Sequence, residues 1–240
     1  MLFATIGCSF TQGERLFYHK WSEEMKDAYK FIQKGEIEPS ILWQLTTWGD
    51  WEYMRNISFS GLLSKTLNCD YLTYTGSNNS NINYAIPTWV ETSNKFDYRK
   101  LDFIVLELTD PQRDIDSRYG DEELTKEEFV NMVEGKLLED TIQEVKEVNK
   151  LCLENGIDLL VWSWQNELAE LLKDEKFFIK IQYEHKEYIS FEDAKRELPV
   201  ALHQALVDDG VTDGHPSKFF NQLLHNSIVS KLKSMGYNIN

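Results

Sequence analysis

Short apolar runs alternate with amphipathic stretches along the chain, and this pattern predicts buried strands separated by helices. The predicted strands cover four runs: 2–6, 70–74, 101–108 and 157–162. The predicted helices cover six stretches: 15–34, 57–67, one from about 82, 126–154, 165–173 and 217–235. Strands and helices that alternate in this way form a parallel sheet covered on both faces. We therefore predict an α/β fold, a three-layer α/β/α sandwich whose mostly parallel sheet has about five strands.

Two stretches of the chain remain ambiguous in this pattern. Residues 177–183 fit either a further strand or an irregular insertion, and residues 191–207 are weakly helical with Pro199 as a break. No internal repeat, low-complexity stretch or Pro, Gly and Ser-rich linker divides the chain. Residues 1–240 are therefore predicted to be a single domain, with a helical and Trp-rich insertion at about 14–56.

Composition excludes several classes of function. The formal net charge of the 240 residues is −15, which argues against a nucleic acid or an anionic membrane as partner, because both need clustered Lys and Arg. A neutral ester or glycan remains compatible. The three cysteines are odd in number and widely spaced, as expected of reduced thiols. No stretch approaches the roughly 20 apolar residues of a membrane span, and we expect no export signal.

Polar residues follow the predicted strands and precede the last helix. Ser9 follows the first strand, the Gly76–Asn79 turn follows the second, and the Thr109–Arg113 turn follows the third. The carboxyl ends of parallel strands share one edge of a sheet, so these turns should converge. A serine hydroxyl needs a base, and the base needs an acidic partner. Asp213-Gly214-His215-Pro216, ahead of the last helix, offers both residues.

These motifs together resemble those of the SGNH (GDSL-type) hydrolases, and they are similar to phage-encoded and environmental bacterial members. Gly7-Cys8-Ser9-Phe10-Thr11 resembles the first block of that family, Gly76 the glycine of the second, and Asp213-Gly214-His215-Pro216 the fifth. The resemblance implies a flavodoxin-like sheet and a serine esterase that cleaves carboxylic esters and needs no cofactor. The compartment stays open, and without an export signal we expect a cytoplasmic or phage-associated protein.

The resemblance implies a role for each residue. Ser9 would be the nucleophile, His215 the base and Asp213 the residue that orients His215. The backbone N–H groups of Ser9 and Gly76, with the Asn79 side chain, would form the oxyanion hole. Each also has a structural explanation, as a helix cap or a turn residue.

The chain departs from the family pattern at two places. The turn after the third strand reads Thr109-Asp110-Pro111-Gln112 and has no Asn, so the missing oxyanion donor falls to Asn79, Thr109 or Gln112. The Asp that usually lies three residues before His is Thr212 here. Asp213 lies two residues before His215, and residues two apart in an extended segment point to the same side. Asp208 or Asp209 can otherwise replace it, or His215 can act without a partner.

Three further chemistries are disfavoured. Side chains alternate along an extended segment, so Cys8 should face the interior if Ser9 faces the cleft, and Cys8 is then a poor nucleophile. The remaining histidines lack metal-ligand spacing, and we predict no metal site. The chain also lacks a Gly-x-Gly-x-x-Gly turn after a strand and a phosphate-loop Lys, which argues against nucleotide binding.

The substrate expected from these features is a small ester or an acylated glycan. Trp43, Trp48 and Trp51 favour O-acetylated carbohydrate, because indole faces stack on sugar rings. The alternative is a binding or structural module, such as a phage particle component, that keeps the fold and has lost efficient catalysis. The absent Asn and the altered Asp–His spacing support that alternative.

Overall fold

Four parallel strands form the centre of the protein in a computed structural model of the chain. The described residues are 1–8, 11, 16, 48–75, 98–109, 125–131, 135–199, 202 and 215–239. The strands are β1 (Phe3–Gly7), β2 (Tyr71–Thr75), β3 (Phe103–Leu108) and β4 (Asp158–Ser163). Their order in the sheet is β2-β1-β3-β4, and every neighbouring pair is parallel. This is the order of the first four strands of a flavodoxin-like sheet, and the predicted α/β class is confirmed.

The described helices flank these strands along the chain. They are α1 (Trp48–Ile57), α2 (Phe59–Leu67), α3 (Lys126–Asn131), α4 (Leu137–Glu154), α5 (Asn166–Leu172), α6 (Phe191–Glu197) and α7 (Lys218–Ser234), with a 3₁₀ turn at Tyr98–Lys100. No helix among the described residues is long and apolar enough to cross a membrane. The helices predicted at 15–34 and from about 82 lie outside the described residues.

The outer edge of β4 carries two isolated bridges in place of a fifth strand. Phe178 pairs in parallel with Val161, whose N–H donates to the Phe177 carbonyl at 2.9 Å, and Ser190 pairs in parallel with Ser163. Between these bridges the chain forms a two-stranded antiparallel hairpin, β5 (Ile181–Tyr183) and β6 (Lys186–Tyr188). The main sheet of the described residues therefore has four strands and two bridges, and residues 177–183 form no single strand.

The two faces of the sheet pack against different helices, which gives the predicted three layers. Side chains alternate along each strand, so Phe3 and Phe103 point to one face and Ala4 and Ile104 to the other. The first face packs against α2 and α7, through buried residues such as Leu63, Leu224 and Ile228. The second face packs against α4 and α5, through buried residues such as Val145, Cys152 and Leu172.

Helix α7 runs antiparallel to the strands. Near its beginning, Phe220 packs against Trp162 at the end of β4, with ring centroids 6.4 Å apart. Just beyond its last turn, the Tyr237 hydroxyl donates to Asp158 Oδ2 at 2.8 Å, at the beginning of β4. The segment that precedes α7 therefore lies at the carboxyl ends of the strands.

Three predicted stretches can be compared with the described helices. Within 126–154 the structure describes α3 and α4, residues 132–134 lie outside the described part, and α4 ends at Asn155-Gly156 as predicted, with Gly156 at φ +69°. Within 191–207, α6 ends at Glu197 because Leu198 is extended before Pro199, and Leu202 is again helical. The helix predicted at 57–67 begins at Phe59, since Ser58 caps it and separates it from α1.

The junction between α1 and α2 depends on a glycine. Gly61 lies in the first turn of α2, and a Cβ atom there would overlap the carbonyl oxygen of Arg55 in α1. The backbones of the two helices can approach this closely only without a side chain at position 61.

We expect Gly61→Ala to lower the free energy of unfolding by about 2 kcal/mol or more, because the added methyl group must displace backbone atoms. Gly135→Ala is the matched control, since a Cβ at Gly135 meets no atom within 4 Å. Urea unfolding of both variants measures the difference. Equal stability of the two variants would show that α1 and α2 do not pack this closely.

Candidate active site

The candidate site lies at the carboxyl ends of β1 and β3. In the order β2-β1-β3-β4, connections from β1 and β3 leave in opposite directions along the sheet. Open α/β folds bind their ligands in the crevice that this reversal opens. Cys8 follows β1 directly and Thr109 follows β3, and the two strands are hydrogen-bonded neighbours. The predicted convergence of these two segments is thus confirmed for the residues that the structure describes.

A buried carboxylate occupies this point of the sheet. Glu107, the fifth residue of β3, is 1% exposed. Its Oε2 atom accepts hydrogen bonds from the backbone N–H of Cys8 at 3.1 Å, from the backbone N–H of Thr11 at 2.9 Å and from the Thr11 hydroxyl. Its Oε1 atom accepts from the Cys8 thiol at 3.0 Å. One side chain of β3 thus holds both Cys8 and Thr11.

Gly7 provides the space that this arrangement needs. A Cβ atom at Gly7 would lie 2.5 Å from Glu107 Oε2 and closer still to the Thr11 hydroxyl oxygen. Contacts under 3.0 Å at a Cβ do not occur in real structures. The glycine that ends β1 therefore lets the carboxylate reach the segment after the strand.

Burial and hydrogen bonding shift the pKa of the Glu107 carboxyl in opposite directions. Burial disfavours the charged form and raises the pKa of the Glu107 carboxyl above its ordinary value, and this is the larger effect. The hydrogen bonds from Thr11 and Cys8 favour the charged form and lower the pKa. The net shift of the pKa is upward.

The sequence analysis did not single out Glu107. Its signal was present, because Glu107 is the one charged residue in the otherwise apolar run 103–108. A charged side chain in a buried strand is rare unless it is paired. The pattern could show that Glu107 needs partners, but the partners lie about a hundred positions away in the chain.

His215 lies on the same side of the sheet. It is half-buried and comes two residues before Ser217, the N-cap of α7. Since α7 begins at the carboxyl ends of the strands, His215 lies there too. Two hydrogen bonds of Asn221 fix this end of α7: its Oδ1 accepts from the Phe59 N–H of α2 at 3.0 Å, and its Nδ2 donates to the Ser217 carbonyl at 2.9 Å.

The other predicted site residues divide into two groups. Thr109 is described and is only 1% exposed. Ser9, Gly76, Asn79 and Asp213 lie outside the described residues, so their roles stay predictions. In the described part of the chain, no three His, Cys, Asp or Glu side chains lie close enough to hold a metal ion.

Cys8 is oriented as predicted. Its side chain is 1% exposed, and its thiol donates to Glu107 in the core between the sheet and α7. A thiol enclosed in this way has no path to a substrate, so Cys8 is a poor candidate for a nucleophile.

No family model and no curated protein sequence matches the chain. Among solved structures, the chain is similar to a protein from Desulfitobacterium hafniense DCB-2 assigned to the G-D-S-L family of lipolytic proteins. That pair shares 12% identity at a TM-score of 0.46, over 96% of this chain and 98% of the other. It is also similar to a carbohydrate esterase whose active site displays divergent catalytic and non-catalytic binding functions. Here the identity is 18% and the TM-score 0.46, over 97% of this chain and 68% of the other.

The raised pKa of Glu107 predicts a pH dependence of stability. The folded state holds the proton of Glu107 more tightly than the unfolded state, so stability falls as pH rises from the ordinary value of 4.5 through the raised pKa. Glu107→Gln cannot titrate and lacks this contribution. Urea unfolding between about pH 4 and pH 8 should show the free energy of unfolding of wild type, minus that of the variant, decreasing with pH. A difference that is constant or rises would contradict a raised pKa.

Proposed function

We propose that the chain is a serine hydrolase of the SGNH type that cleaves carboxylic esters at Ser9. The observation that supports this proposal is the meeting of three chain segments at one edge of the sheet. The end of β1, the end of β3 and the segment before α7 all lie at the carboxyl ends of the strands. Ser9 directly follows Cys8, and His215 lies two residues before the N-cap of α7, so the nucleophile and the base come from opposite ends of the chain.

In the proposed reaction, the Ser9 hydroxyl oxygen attacks the ester carbonyl carbon while His215 accepts the hydroxyl proton. The tetrahedral intermediate collapses as the bond to the alcohol oxygen breaks, and His215 returns the proton to that oxygen. Water then attacks the acyl-serine with His215 again as base, which releases the acid and restores Ser9. Asp213 orients His215 and stabilises its charged form.

The oxyanion of the intermediate needs hydrogen-bond donors. We assign the backbone N–H groups of Ser9 and Gly76 to it, together with the side chain of Asn79. Because Thr109 is almost fully buried, its hydroxyl is poorly placed to meet a substrate. Asn79 is therefore the preferred substitute for the Asn that the third turn lacks.

We expect a fluorophosphonate probe to form a single adduct on Ser9, located by mass spectrometry, and Ser9→Ala to abolish it. His215→Ala should slow labelling by about 10² to 10⁴, the usual contribution of a general base. His185→Ala, which alters an exposed histidine in the β5–β6 hairpin, is the matched control and should label at the wild-type rate.

Absence of labelling in the folded wild-type protein would overturn the proposal and favour the binding module. An adduct on another residue would overturn the assignment of Ser9. Equal effects of His215→Ala and His185→Ala would remove His215 from the mechanism.

We further propose that the ester is an O-acetyl group on a carbohydrate. Trp51 lies half-buried on α1, and α1 leads directly into the start of α2, which Asn221 bonds to the start of α7. An indole near this edge can stack on a sugar ring beside the reacting ester. Trp48, one turn earlier in α1, is the second candidate.

Trp51→Ala should raise KM for an acetylated oligosaccharide by about three- to tenfold, because one stacking contact is lost. Its kcat/KM for p-nitrophenyl acetate should stay unchanged, since that ester has no sugar ring. Tyr53→Ala is an aromatic control on the same helix. Unchanged KM for the oligosaccharide in both Trp51→Ala and Trp48→Ala would argue against a carbohydrate substrate.

A further inference from the structure

We propose that Glu107 is a positioning residue, which fixes the segment from Cys8 to Thr11 and through it the Ser9 hydroxyl. The inference rests on the proposed function for its catalytic consequence, and on described contacts for the anchoring itself. Neither the family resemblance nor the motif analysis assigns a role to this residue.

Glu107 brings two backbone amides together. The N–H groups of Cys8 and Thr11 donate to the same atom, Glu107 Oε2, at 3.1 and 2.9 Å. Two nitrogens that bond one oxygen lie within about 6 Å of each other, whereas an extended chain would separate them by about 10 Å. The carboxylate therefore holds close together the two residues between which Ser9 and Phe10 lie.

The strand that carries Glu107 is a rigid anchor. Glu107 belongs to β3, which pairs with β4 along its whole length and with β1 over 103–106. A side chain on a central strand is located more accurately than one on a loop. Glu107 Oε2 lies 2.5 Å from the position that a Cβ atom at Gly7 would take, so the carboxylate fills the space that the glycine leaves.

The partners of Glu107 match an ionised carboxylate. Among the described residues its four hydrogen bonds come from donors: two amides, a hydroxyl and a thiol. An ionised carboxylate accepts at both oxygens and donates at neither, so it suits this set of partners. Hydrogen bonds to an ionised acceptor are stronger than those between neutral groups, and they resist displacement of the segment.

Glu107 acts through Cys8 and Thr11, which enclose its carboxylate, and it does not contact substrate. Its proposed contribution is to keep the Ser9 hydroxyl within hydrogen-bond reach of His215. A displacement of about 1 Å at a reacting atom can lower a rate by about 10².

The test compares two matched pairs of variants by the second-order rate of fluorophosphonate labelling at Ser9. Glu107→Leu removes both acceptors, whereas Glu107→Gln keeps the shape and one carbonyl oxygen. We expect labelling to fall by about 100-fold in Glu107→Leu and by about tenfold or less in Glu107→Gln. Thr11→Val removes one donor, and its labelling rate should fall about tenfold. Thr11→Ser keeps the hydroxyl, and its labelling rate should stay within about threefold of wild type.

Leu172→Ala controls for loss of stability. Leu172 is buried in α5, against the opposite face of the sheet from Glu107. All rates are measured at a temperature at which circular dichroism shows each variant folded. Labelling of Glu107→Leu at the wild-type rate would overturn the inference. A fall in the labelling rate of Leu172→Ala as large as that of Glu107→Leu would overturn it as well.

Hydrogen–deuterium exchange separates this inference from the proposed function. The Cys8 and Thr11 amides should exchange faster in Glu107→Leu than in wild type, while peptides from β4 keep their protection. Unchanged exchange at both amides would overturn the anchoring whatever the activity. Faster exchange in a protein whose wild type is not labelled would support the anchoring and overturn the proposed function instead.

Discussion

The structure depends on a charged group that cannot be left alone in the core. An isolated carboxylate transferred from water into a protein interior costs several kcal/mol, and the four donors that Cys8 and Thr11 turn toward Glu107 offset part of this cost. The arrangement can form only where the two strands β1 and β3 are adjacent, so the same contact that satisfies the charge also joins the start of the chain to its middle.

This constraint explains the residues around it. The end of β1 must lack a side chain, and Gly7 meets that need. Thr11 offers both an amide and a hydroxyl to the same oxygen, which few residue types can do. The thiol of Cys8 is the smallest apolar side chain that can also donate to the other oxygen. Gly7, Cys8 and Thr11 therefore satisfy the buried carboxylate and at the same time fix the segment that carries Ser9.

Helix α7 is the second element that determines the site. It crosses the full height of one sheet face in the direction opposite to the strands, from Phe220 against Trp162 to Tyr237 beside Asp158. Its packing therefore brings a segment from the end of the chain to the edge at which the first strand ends. The hydrogen bonds of Asn221 with the Phe59 N–H of α2 and with the Ser217 carbonyl hold that segment in place. The proposed reaction needs both the segment that Glu107 holds and the segment before α7, because the first carries the nucleophile and the second carries the base.

The sequence by itself determined the alternation of strands and helices, and hence the parallel sheet, because buried strands and amphipathic helices differ in their period. It also indicated that Ser9 and His215 border elements whose ends meet at one edge of such a sheet. It could not reveal the bridges at Phe178 and Ser190 beside β4, since isolated bridges do not change the hydrophobic pattern. Only the tertiary structure decided what Glu107 does. A buried charge shows in the sequence that partners must exist, but hydrogen bonds between residues a hundred positions apart follow from the order of the strands.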